Sequence, residues 1–453
     1  MIRFTLPLIL IALVFNVCSR KPTETSERNN SDRNPTNSDL KRETVKNGIE
    51  VTFYPAYGYR EGADWLIPMR SWVHENREST GGPVAPLGKR ITQLKKIKEK
   101  ASELATTFIC AGEDENVLKQ RLRDFSADDI DEEQIEIQFD SDSVGERYRL
   151  VGSKRSNGVS DHNGLIESKL KLPDAKAQQL IKDQQLIKDQ QHSAKGWLTY
   201  HAVSKDPNGK VFAGKGRVRL IEPEGTSVVT DIDDTIKVSE VPAELATVLK
   251  NTFCRRFVAA PKMAETYRSW GDDVAFHYVS GGPWQLYGPL YDYLISDPGD
   301  YPEGTFHFNY FPKNVRSEDT REILRRAVAD FLFESKLGSL NDTYRHKQTE
   351  IKELMERFPG RTFIFVGDSG EMDPEVYRWF QENSPYSKQV KEIWIRDVVK
   401  DAEINRDRLK GMNVIQADPT ICATQSHYKK VCAMMARLHR PAYARNTLAP
   451  CHQ

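Results

Sequence analysis

Four short apolar runs in the second half of the chain each stop on polar or glycine residues: SVVTD (227–231), VAFHYVSGG (274–282), RTFIFVGDS (361–369) and EIWIRDV (392–398). Helical patterns separate them, and this β–α alternation predicts an α/β domain built on a doubly wound, mostly parallel sheet. Strands of such a sheet are covered on both faces and read as near-continuous apolar runs rather than as alternating ones. Ligands bind beyond the carboxyl ends of the strands, so the polar ends of the first three runs are expected to converge on one crevice. With 453 residues the chain has room for a second domain.

That second domain is expected upstream. GIEVTFYPAYGYR and DWLIPMRSWVHE carry strand composition around the turn EGA, EQIEIQF and RYRLVG alternate, and two alternating runs flank Pro207, Asn208 and Gly209 as a hairpin. Residues 88–125 read as helical, with Leu94, Ile97, Ala101 and Leu104 at helical spacing. The organisation that follows is a β-rich N-terminal module over 46–225, a catalytic α/β domain over 226–400 and a helical C-terminal tail over 401–453. Between Lys169 and Lys195 the hexamer LIKDQQ occurs in tandem; two units make no solenoid and predict a lengthened surface loop or a short helix.

The first 45 residues carry no fold signal of their own. Arg3, the apolar stretch from Phe4 to Val17 and the small residue Ser19 read as a signal peptide over 1–19, with a lipidated Cys18 and a membrane anchor as alternatives. Residues 20–45 have little to bury and read as a disordered linker. Each alternative takes the protein out of the cytosol. Lys and Arg number 65, as do Asp and Glu, and the formal net charge of zero leaves no field to attract nucleic acid. No protein partner is predicted. Cys110, Cys254, Cys422, Cys432 and Cys451 are too few and too scattered for a disulfide framework, although a link from Cys422 or Cys432 to Cys451 stays open.

The chemistry is concentrated in the strand ends. Asp231, Asp233 and Asp234 follow directly on an apolar run, where their mutual repulsion is costly unless a cation holds them. A calcium-binding EF-hand loop is excluded, because Ile236 and Pro242 stand where it needs glycine and glutamate. Downstream, GDSGEMDPE adds Asp368 and Asp373, and Asp231, Asp368 and Asp373 make an oxygen set suited to Mg²⁺. A divalent ion beside a carboxylate nucleophile is what phosphoryl transfer requires. A serine hydrolase using Ser369 is the rival enzyme reading, but Glu371 breaks the GxSxG pattern and the partner motifs are absent.

These blocks carry a resemblance. DIDDT resembles the DxDxT nucleophile motif of the haloacid dehalogenase superfamily, YVSGG its second motif and GDSGEMDPE its metal-binding motif. More narrowly, TDIDDTIKVSEV, VSGGPWQLYGPL, ERFPGRTFIFVGDSGEMDPEVY and IRDV together resemble the actin-patch-associated phosphatidate phosphatase family, related in chemistry to the lipins, over roughly 226–400. The resemblance implies a haloacid dehalogenase-like fold and Mg²⁺-dependent hydrolysis of a phospholipid, phosphatidate, to diacylglycerol. It implies Asp231 as nucleophile and Asp233 as acid/base, with Thr235 in the phosphate-binding set and hydrogen-bonded to Asp233 or its loop. It places Ser280, Gly281 and Gly282 on the phosphoryl oxygens and Lys347 on the nucleophile, with Lys352 and Lys336 as alternatives. The metal would face Asp231, the backbone carbonyl of Asp233, Asp368 and Asp373. Asp234 is expected to be a neighbour. Trp284, Tyr287 and YPEGTFHFNYFP read either as an aromatic wall for acyl chains or as core. Two further readings are a phosphatase of another phosphomonoester and a non-catalytic lipid-binding module.

Overall fold

The computed structural model describes residues 49–75, 110, 112–150, 159–161, 163–186, 196–204, 211–243, 245–295, 299–309, 337–421 and, beyond these, 423, 424, 427, 431, 432, 434, 435 and 438. The signal and linker segments, the turn at Pro207–Gly209, the positions Leu94 to Leu104, Lys336, Cys422 and Cys451 lie outside them. The chain forms two compact units, one holding 49–75 and 122–220, the other 110–121 and the residues from 221 onward.

The first unit is β-rich. Its strands are β1 (Ile49–Phe53), β2 (Ala56–Glu61), β3 (Asp64–Glu75), β4 (Asp128–Asp129), β5 (Glu136–Phe139), β6 (Arg147–Arg149), β7 (Leu165–Pro173), β8 (Trp197–Ala202), β9 (Phe212–Ala213) and β10 (Lys215–Leu220). They run in the order β6-β5-β8-β10-β2-β3-β1-β9, with β4 and β7 on β3. β2 and β3 make the expected hairpin, closing on Gly62 at a φ of 64°, a conformation that favours glycine. Alternation selects the inner face of β3, where Trp65, Ile67 and Met69 are buried. Helix α1 (Glu115–Ser126) comes between β3 and β4 in the chain, and α2 (Asp174–Leu186) takes in the first copy of the tandem hexamer. In α2 Leu180 and Gln184 are buried, and Gln184 bonds the backbone of Trp197 and Thr199 in β8, so this copy of the hexamer is a structural helix.

The second unit is an α/β layer structure. Its six strands are β11 (Gly225–Thr230), β12 (Ala275–Pro283), β13 (Gly304–Asn309), β14 (Arg361–Asp368), β15 (Val390–Asp397) and β16 (Asn413–Gln416), in the order β13-β12-β11-β14-β15-β16. Every pair is parallel. The chain moves outward from β11 to β13, returns to β14 on the other side of β11, and moves outward again, so the order reverses between β11 and β14. The four apolar runs are the four inner strands, and the two edge strands are additions to them. β16 lies in the segment expected to be a helical tail, after the short helix Asp401–Ile404. A four-residue strand has little periodicity to read, and it forms here by pairing Trp394–Asp397 of β15 with Asn413–Gln416. Between the strands lie α3 (Leu245–Leu249), α4 (Met263–Ser269), α5 (Tyr287–Ile295), α6 (Leu337–Arg357) and α7 (Asp373–Glu382).

Candidate active site

Register places the crevice. Thr230 stands opposite Tyr278 of β12 and Val366 of β14, so Asp231, Ser280 and Asp368 leave the sheet at the same edge. The Asp231 N–H donates to the Val366 carbonyl at 2.9 Å, which carries the pairing one residue past the end of β11. The chain then turns tightly, with the amides of Ile236 and Lys237 both donating to the Ile232 carbonyl at 3.0 and 3.3 Å. Asp234 has a φ of 58°, the left-handed region that aspartate tolerates better than most residues.

The three aspartates face three ways. The Asp231 carboxylate, 2% exposed, meets Lys347 Nζ at 2.8 Å and accepts from the Thr235 hydroxyl at 3.2 Å. Asp233 is bonded by Lys237 and Ser239. Asp234 accepts the N–H groups of Ser239, Glu240 and Val241 at 2.8, 2.7 and 2.6 Å and closes the loop, and so stays a neighbour.

Lys347 comes from α6. Tyr344, Ile351, Leu354 and Met355 bury one face of this helix, and Lys347 falls on the same apolar stripe, 2% exposed. A lone ammonium there would cost several kcal/mol; carboxylates of Asp231, Asp373 and, at 3.8 Å, Glu371 surround it instead. Burial works against its charge, but these carboxylates outweigh burial and hold its pKa well above the usual lysine range. Lys352 is half exposed and pairs with Glu356 within its helix.

The β14 end supplies the rest. Asp368 Oδ1 accepts from the amides of Gly370 and Glu371 at 2.6 and 3.2 Å, while Oδ2 is buried with no hydrogen-bond partner among the described residues. Oxygens of Asp231, Asp368 and Glu371 lie within 4.8 Å of one another. Asp373, at the start of α7, is turned to Lys347 and to the Asp368 N–H, at 3.2 Å, and lies outside this trio. Glu371 had only its place in the GDSGEMD block to signal it. Burial raises the Asp368 carboxyl well above the carboxylate range, with Asp373 and Asp231 adding to it. Burial likewise raises Asp231, opposed by Lys347, and pushes Glu371 up to about 7. A buried orphan oxygen within a tight carboxylate trio fits a hard divalent cation with oxygen ligands.

Ser280 lies near the carboxyl end of β12, before the register shift to Pro283, its hydroxyl accepting the Gly282 N–H at 2.9 Å. Gly281 is crowded, since a Cβ there would stand 2.8 Å from the Thr343 side chain of α6. Ser369 is built into the frame: its hydroxyl donates to Asp397 at 2.9 Å and accepts from the amides of Val398 and Val399. Trp284, Phe306 and Phe308 are buried, which makes them core.

The resemblance read from the motifs is borne out over residues 226–397, which match the family described as "Phosphatidate phosphatase APP1, catalytic domain". The chain is 28% identical over 197 residues to phosphatidate phosphatase APP1 of Saccharomyces cerevisiae, covering 42% of this chain and 28% of that protein. It is 24% identical over 210 residues to an uncharacterised protein of Schizosaccharomyces pombe, covering 44% of this chain and 29% of that one. The matched stretch thus spans less than a third of the length of either relative.

Proposed function

We propose that the chain is a phosphatidate phosphatase of haloacid dehalogenase type, which hydrolyses phosphatidate to diacylglycerol and phosphate by way of an aspartyl-phosphate on Asp231. One observation carries the reading: the trio Asp231, Asp368 and Glu371, with the orphan Asp368 Oδ2, stands beside a buried lysine where the strand order reverses. Similarity of 226–397 to the phosphatidate phosphatase catalytic domain supports the substrate.

Asp231, Asp368 and Glu371 would hold Mg²⁺. When bound, that ion supplies the charge that neutralises phosphate oxygens facing an anionic nucleophile. The remaining steps belong to the chain. Against the burial that raises the Asp231 carboxyl, Lys347 favours its ionised form and aims it, and Asp373 anchors Lys347. Asp231 attacks phosphorus, Asp233 protonates the departing glycerol oxygen, and Asp233 then takes a proton from the water that cleaves the aspartyl-phosphate. Ser280 and the amides of Gly281 and Gly282 receive the phosphoryl oxygens.

We place the protein outside the cytosol, released after Ser19 or held to a membrane by its N-terminus or a lipidated Cys18. The Cys110–Cys254 disulfide supports an oxidising compartment. A phosphatase of another phosphomonoester stays the second reading, because Trp284, Phe306 and Phe308 of the expected aromatic wall are buried, while Tyr287 is half-buried and Tyr310 and Phe311 lie outside the described residues.

The test is phosphate release from phosphatidate in detergent micelles, with and without Mg²⁺, beside a soluble monoester and the Asp231→Asn and Asp233→Asn variants. Mg²⁺-dependent release from phosphatidate, lost in both folded variants by at least about 100-fold, is expected. Turnover of the soluble ester alone would overturn the lipid substrate and keep the mechanism. Near-normal release by a variant would overturn the mechanism.

A further inference from the structure

Asp233 stands apart from the carboxylate trio and is bonded to two residues that neither the DxDxT pattern nor the trio involves. The Lys237 ammonium, 3% exposed, reaches both Asp233 Oδ1 and the Ser239 hydroxyl oxygen. Ser239 in turn bonds the same Oδ1 at 2.6 Å. Chemistry sets the direction of these bonds: an ammonium only donates, so the Ser239 oxygen accepts from Lys237 and passes its own hydrogen to Asp233. Oδ1 therefore takes two donors. Among the described residues Oδ2 has no hydrogen-bond partner, and the Asp233 side chain keeps 26% of its exposure.

The arrangement is braced from behind. The Ile236 carbonyl, one residue before Lys237, accepts from the Tyr293 and Tyr301 hydroxyls at 2.9 and 2.8 Å and from the Ala260 amide at 3.0 Å. The Lys237 carbonyl accepts the Asp234 N–H at 2.8 Å, and the ring of Phe257 lies 4.9 Å from the ammonium. Most lysines keep their charge in water. Lys237 does not, and its location is explained only by the groups it pairs.

We propose that Lys237 and Ser239 form a positioning relay, which occupies Oδ1 of Asp233 so that Oδ2 is the oxygen that gives and takes the proton in ester cleavage. The inference rests on the phosphatase reading above. In the first half-reaction an Asp231 oxygen bonds to phosphorus and the bond from phosphorus to the glycerol oxygen breaks, its electron pair going to that oxygen. In that step Asp233 Oδ2 passes a proton to the same oxygen, and the carboxylate left behind is the form that Lys237 and Ser239 stabilise through Oδ1. In the second half-reaction Oδ2 takes a proton from water as the water oxygen bonds to phosphorus. The bond from phosphorus to Asp231 then breaks, its electron pair restores the Asp231 carboxylate, and phosphate leaves.

A relay acting through the acid matters where the leaving oxygen needs a proton and matters little where it does not. The test compares Lys237→Met and Ser239→Ala with the wild type on dioctanoyl phosphatidate, whose alkoxide must be protonated, and on p-nitrophenyl phosphate, whose phenolate leaves unaided. Thermal melting checks folding. For Lys237→Met, kcat on phosphatidate is expected to fall about 100-fold with KM nearly unchanged, and kcat on the aryl ester less than about fivefold. Ser239→Ala, which removes a single oxygen, is expected to give the same bias at about tenfold and carries the test if Lys237→Met does not fold. Equal losses on both esters, or no loss, in a folded variant overturn the relay. Asp231→Asn, run alongside, separates the premises: undiminished turnover there overturns the aspartyl-phosphate mechanism on which the relay rests, whatever the Lys237 and Ser239 variants do.

Discussion

Asp231, Asp233 and Asp234 stand within four positions of one another, and each is stabilised by a different kind of group: a buried lysine, a lysine–serine pair and three backbone amides. The clustering was legible in the sequence; the division of labour was not, because a carboxylate's partner is set by where its side chain points. Glu371 illustrates the same limit. Asp373 and Glu371 are both acidic residues just after Asp368, and only the turn into α7 decides that Asp373 meets Lys347 while Glu371 joins the trio. Glu371→Gln is therefore expected to weaken divalent binding at least about tenfold in calorimetric titration; unchanged affinity would remove Glu371 from the set. The sign of the pH dependence follows from burial. With its pKa pushed up to about 7, Glu371 is protonated below that pH in the metal-free protein, and a cation must displace the proton. Affinity should fall as pH drops below 7, by about tenfold per unit while one proton is displaced. A flat profile from pH 6 to 8 would contradict this.

The elements that carry the site are legible to different degrees. The inner strands announce themselves because burial on both faces requires unbroken apolar runs. Helix α6 is legible as the segment leading into β14, and its apolar stripe identifies the face on which Lys347 lies. The edge strands β13 and β16 are less so. In GTFHFN the buried Phe306 and Phe308 have the same spacing as a ligand-facing aromatic wall, and NVIQ is shorter than any reliable period. Close packing between β14 and α7 yields a prediction at this scale. A Cβ on Gly367 would stand 2.4 Å from Asp373 Oδ2 and 2.6 Å from its Cβ, so Gly367→Ala must push away the residue that anchors Lys347. It is expected to cost about 1–3 kcal/mol of stability and to lower turnover disproportionately. A variant that melts and turns over like the wild type would show that this contact yields freely.

At the scale of the molecule, the α/β unit takes residues from both sides of the β-rich sequence, and Cys110 and Cys254 are joined across 144 positions with Cα atoms 5.4 Å apart. Closing so long a loop restricts the unfolded chain, and the entropic model assigns it up to about 5 kcal/mol. Reduction, or Cys254→Ser, should lower Tm by several degrees in calorimetry; identical melting with and without reductant would speak against the pairing. Distant chain also steadies the loop that follows β14. Arg408 bonds the carbonyls of Ser369 and Glu371 as well as Glu375 and Asp401, and the His427 ring bonds the Gly370 carbonyl. Residues past the last recognisable motif thus hold the backbone on which Asp368 and Glu371 sit.

What the sequence determined by itself is local: the β–α alternation, the polar strand ends, the DxDxT and GDSGEMD blocks, and a lysine on the helix before the last of them. Periodicity and motifs act over a few residues, and physical chemistry over that range constrains them strongly. What the tertiary structure alone decided is which distant groups meet. Lys347 meets Asp373 across 26 positions, Arg408 meets Glu375 across 33, and the two cysteines meet across 144. Such pairings depend on the path of the chain through the sheet, and side-chain direction then selects one carboxylate over its neighbour.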